Sequence, residues 1–63
     1  SLKSGMFRFN VAINLTNFGR LSDALDYARY ALQKFEAFGA IGAKEVQQTQ
    51  NLIAKLEEAL RSK

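Results

Sequence analysis

Three stretches of apolar residues recur at helical spacing, separated by two glycine-centred breaks. In the first, Phe7, Val11, Leu15 and Phe18 follow one another at intervals of four, four and three. That spacing keeps them on one face of a helix. Ala12 lies beside the face and leaves room for a close neighbour. Phe9 and Ile13 form a second apolar strip, which is more than a helix with a single buried side needs. Asn17-Phe18-Gly19 ends this element, because glycine takes the left-handed conformation of a helix C-cap at little cost. Residues 1–5 read as a frayed start, with Ser4 as the N-cap.

The second stretch carries Leu21, Leu25, Ala28, Leu32 and Phe35 as its main stripe, flanked by Ala24 and Ala31. Such small residues let two helix backbones approach closely. Tyr27 and Tyr30, with apolar bodies and polar tips, belong at the edges of the stripe. Ser22 is the predicted N-cap. Asp23 and Asp26 are placed in the first turn, where carboxylates favour the positive end of the helix dipole. The segment 39–42, Gly-Ala-Ile-Gly, breaks the pattern: Gly39 caps one helix and Gly42 starts the next. In the third stretch Val46, Gln50, Ile53, Leu56 and Leu60 recur at four, three, three and four, broadened by Leu52 and Ala59. Its other face, with Lys44, Gln47, Gln48, Asn51, Lys55, Glu58 and Arg61, is polar. Glu57 and Arg61 have the spacing of a favourable ion pair. The pattern predicts an all-α chain with helices over about 5–18, 22–38 and 43–61.

Composition narrows the classes available. Sixty-three residues make one domain, 1–63, without proline and rich in helix formers. A chain this short buries only about 60% of its unfolded surface. Cys and His are both absent, so neither a disulfide nor a Cys/His metal site can brace it. Tight helix packing, self-association or attachment to a longer chain remain as sources of stability. No apolar run reaches the ~18 residues of a membrane span, and no signal-peptide core follows Lys3. The expectation is a cytoplasmic protein. The net charge is +3, but its cations are spread along the chain among acids, which argues against a nucleic-acid footprint.

From Ala12 to Leu32 the chain resembles the tetratricopeptide repeat, a unit of about 34 residues made of two antiparallel helices. The residues that carry the resemblance are Ala12 and Leu15 in the first helix and Gly19 in the turn. Ala24, Ala28, Ala31 and Leu32 carry it in the second helix. The segment GRLSDALDYARYAL looks like the last repeat of bacterial arrays. The chain departs from the pattern at Arg8, where an aromatic residue is usual, and at Glu36, where proline is usual. Ala12 itself stands where glycine is more frequent. The resemblance implies an antiparallel hairpin over about 6–38 with a capping helix over 43–61, at the C-terminal end of a longer protein. It also implies a concave face lined by Met6, Phe9, Asn10, Ile13 and Asn17. Some members hold a peptide carboxylate there. Phe9 and Ile13 stand where polar residues would do so, which favours an apolar groove for a protein or peptide partner. Burial of those two residues against another copy or a preceding repeat is the competing reading, with a homodimer formed through the first helix.

Little in the sequence can do chemistry. Asp23 and Asp26 serve a helix start, and the adjacent Glu57 and Glu58 diverge around their helix. Ser22 has no histidine to activate it. Residues 39–42 lack the Lys-Ser/Thr of a phosphate loop. No catalytic, cofactor-binding or metal-binding residues are predicted, and the expected function is a non-catalytic interaction module.

Overall fold

The computed structural model describes all 63 residues, Ser1–Lys63, and is all-α. Helix α1 spans Leu2–Asn17, α2 spans Leu21–Glu36 and α3 spans Ala43–Arg61. A single 3₁₀ turn, Gly39–Gly42, joins α2 to α3. The first two helices form an antiparallel hairpin. Helix α3 packs on α2, while α1 and α3 share no comparable contact. Helix α2 is therefore the middle member. No helix is long and apolar enough to cross a membrane.

The hairpin turn follows the Schellman pattern. Gly19 has φ +79°, its N–H donates to the Thr16 carbonyl at 3.0 Å, and Arg20 N–H donates to Leu15 at 2.9 Å. Carbonyls left over at the end of α1 are thus satisfied within the turn. The start of α2 differs from expectation. Arg20, not Ser22, precedes the helix, and its carbonyl accepts the first helical bond, from Ala24 N–H at 2.9 Å. Ser22 lies inside the first turn. Asp23 is the acid of that turn and pairs with Arg20 at 2.6 Å; Asp26 sits beyond it.

The start of α1 also differs. Residues 2–5 are helical rather than frayed, and Ser4 is not a cap: its hydroxyl accepts from Arg8 at 2.8 Å. The first turn is anchored by Gly5, which is buried against the ring of Phe35. A Cβ at Gly5 would come within 2.6 Å of Phe35 Cε1. Phe35 is itself 1% exposed. At the other junction a Cβ on Gly42 would run into the backbone carbonyl of Phe35.

The core is built from small residues and a few large ones. Ala12, Ala24, Ala28 and Ala31 are fully buried, and Leu25, Phe35 and Leu56 nearly so. Leu15, Leu21, Leu52, Ile53 and Leu60 pack around the cluster formed by Ala12, Ala24, Leu25, Ala28 and Leu56. In α3 the sequence stripe ran through Gln50, yet Gln50 is exposed and Thr49 is fully buried. Thr49 donates its hydroxyl to the Glu45 carbonyl one turn back, at 2.7 Å. A threonine can satisfy its only donor inside its own helix and still present a methyl group to a neighbour. A buried glutamine amide has no such internal partner. The predicted polar face of α3 is exposed from Lys44 to Arg61. Arg61, however, pairs with Glu58 at 2.7 Å, which leaves Glu57 to reach Arg29 of α2 at 3.1 Å.

Candidate functional site

The inner face of α1 is rotated from the one expected. Gly5 and Ala12 are its buried residues, so the seam with α2 runs through the smallest side chains of the helix. Phe7 and Phe18, placed by their spacing on the packed stripe, are 65% and 81% exposed. The space beside Gly5 is already filled by the Phe35 ring of α2, and Ala12 packs closely on α2, so no room is left in the seam for a phenylalanine from α1. The strip of Phe7, Val11 and Phe18 is real, but it faces away from the seam. Val11 on it is half-buried.

Each flank of the seam carries a different surface. On one side, Arg8 of α1 reaches across to α2, with its guanidinium 4.2 Å from the centre of the Tyr30 ring. Lys34 Nζ lies 5.2 Å from the same centre. Arg8 is held by Nη1, which donates to the Ser4 hydroxyl and more weakly, at 3.3 Å, to the Ser4 carbonyl. Arg8, Asp26, Tyr27 and Tyr30 line a cleft of about 310 Å³. Tyr27 and Tyr30, predicted at the edges of the α2 stripe, are 42% and 44% exposed. Helical spacing puts Phe7, Val11 and Phe18 on this same flank, the side of the hairpin away from α3.

The other flank holds the five residues predicted for partner binding. Met6, Phe9, Asn10, Ile13 and Asn17 share one side of α1, as their spacing requires. Met6, Asn10 and Asn17 are exposed, whereas Phe9 and Ile13 are half-buried. This flank lies toward α3, because Arg29, on the opposite edge of α2 from Tyr30, is the residue that reaches α3. The sequence pattern did not mark the Arg8–Tyr30 flank as a surface. Its signal was the break in the α1 pattern at Arg8, between Phe7 and Phe9, one helical turn after Ser4.

No group of three His, Cys, Asp or Glu side chains is placed to hold a metal ion. No family model matches the chain, and neither a curated protein nor a solved structure matches it significantly.

Proposed function

We propose that the chain is a non-catalytic protein–protein interaction module of the tetratricopeptide type, which docks a protein partner on an apolar face of its first helix. The observation that carries this is the exposure of Phe7 and Phe18 on one strip of α1, beside the half-exposed Tyr27 and Tyr30. Isolated apolar residues at a surface are ordinary, but aromatic side chains gathered on one flank mark an interaction surface. The antiparallel hairpin, the fully buried Ala12, Ala24, Ala28 and Ala31, and the polar outer face of α3 support the repeat-plus-cap architecture. The flank with Met6, Phe9, Asn10, Ile13 and Asn17 is the narrower candidate, since Phe9 and Ile13 are already partly covered.

Selection of short random peptides displayed on phage tests this reading. Peptides retained by the native chain should be lost by Phe7→Asp/Phe18→Asp, whose helix content by circular dichroism stays native. Equal retention by both proteins would sink it. Self-association through the same strip is the second reading, favoured by the 81% exposure of Phe18. Light scattering after size exclusion would then give a dimer that the double variant converts to a monomer.

A further inference from the structure

We propose that the flank of the α1–α2 seam around Tyr30 takes an acidic side chain of a partner segment, met by Arg8 and Lys34. This rests on the assignment of α1 as a docking face and specifies the chemistry of what docks there. Two cations share one ring: Arg8 at 4.2 Å and Lys34 at 5.2 Å from its centre. Neither has a carboxylate within ion-pair distance, because the three ion pairs of the chain use Arg20, Arg29 and Arg61. Asp26, the one carboxylate lining the cleft, makes no ion pair with either cation, so an acidic side chain brought to them gains a favourable charge interaction. The ring pre-positions both cations. Both of Arg8's hydrogen bonds run through Nη1 to Ser4, so its Nη2 and Nε remain as donors for a carboxylate.

The cleft also has a direction. Asp26, Tyr30 and Lys34 follow one another at four-residue intervals on α2, so the acid and the lysine lie roughly 12 Å apart along the helix. Asp26, the one acid lining the cleft, stands at the end away from Lys34. An occupant is therefore steered with its acidic residue toward Arg8 and Lys34. Its apolar neighbours then meet Tyr27 and the Phe7 strip. A second copy of this chain fits less well, because it brings a further +3 to a face that is already cationic. A nucleic-acid backbone would meet Asp26 in the same cleft rather than an uninterrupted basic stripe.

The test uses peptides selected on phage against the native chain, with affinities measured by fluorescence anisotropy. The selected sequences should carry Asp or Glu beside an aromatic or leucine residue. Binding should weaken roughly tenfold or more in Arg8→Glu/Lys34→Glu, and less in Arg8→Gln/Lys34→Gln, with helix content unchanged. A peptide with its acid changed to Lys should recover binding to the Glu variant. Selected peptides with no acidic preference, lost on Phe7→Asp but indifferent to the Arg8 and Lys34 changes, would overturn the acidic partner and leave the docking face standing. Peptides indifferent to both sets of changes would remove the docking face as well. A dimer dissociated by Phe7→Asp, with no peptide selected, would assign the face to a second copy. Binding of a single-stranded oligonucleotide that falls steeply with salt and is lost on charge reversal would assign it to nucleic acid.

Discussion

At the scale of single residues, the fold turns on positions where size counts more than hydrophobicity. Gly5 is the sharpest case. In an exposed helix, Gly→Ala stabilises by about 1 kcal/mol. At Gly5 the new methyl group would meet the buried Phe35 ring, so the sign should reverse. We expect Gly5→Ala to destabilise the chain by about 1–3 kcal/mol, read from urea unfolding. A neutral or stabilising result would show that the ring can move aside at no cost. Thr49 makes a related point about polarity. Its place in the core was not legible from hydropathy, because its hydroxyl is satisfied by a backbone carbonyl one turn away, a local bond that hydropathy cannot register. Gln50 and Thr49 lie about 100° apart around α3, so the exchange moves one position of the stripe and leaves Ile53, Leu56 and Leu60 on the core.

At the scale of helices, the number of elements and the turns between them were legible because glycines and apolar spacing agree there. Gly19 ends α1 where expected, and Ala43 to Arg61 is the third helix as read. The orientation of α1 was less legible, since two apolar strips of similar weight competed and the true seam ran between them through Gly5 and Ala12. Periodicity counts large side chains, whereas close packing selects small ones. The two strips should separate in experiment. Phe7→Asp, on the exposed strip, should cost less than about 1 kcal/mol of stability. Phe9→Asp, on the half-buried flank, should cost about 1–3 kcal/mol. Equal costs in thermal and urea unfolding would mean that the seam is misplaced. Between α2 and α3, the Arg29–Glu57 pair is exposed by 55% and 43%. A double-mutant cycle should give it only about 0.2–1 kcal/mol. A larger coupling would mean that this pair, and not the Leu56 cluster, fixes α3.

At the scale of the whole molecule, the chain measures 35 × 17 × 13 Å and exposes 4214 Å². A folded monomer of 7.1 kDa is expected to expose roughly 4,100 Å². The total is thus ordinary for a folded chain of this size, and Phe7 and Phe18 stand out locally on α1. Leu56, 2% exposed, is the largest buried side chain that α3 contributes. Leu56→Ala should cost about 2–5 kcal/mol, a large share of what so small a domain possesses. A loss under about 1 kcal/mol would place α3 outside the cooperative unit. The proposed docking surface was the least legible part of the chain. It depends on how two helices face each other, and Arg8 and Tyr30 are 22 positions apart with no pattern connecting them.

Phe35 touches both junctions of the fold at once: its ring covers Gly5 at the start of α1, and its carbonyl backs Gly42 at the start of α3. The starts of α1 and α3 are therefore backed by one residue. Opening should be correlated: amide protons in the first turns of α1 and of α3 should exchange with solvent through one shared fluctuation, with similar protection. Phe35→Leu should accelerate both sets together. A variant that freed one set and left the other protected would split the molecule into two independently opening halves.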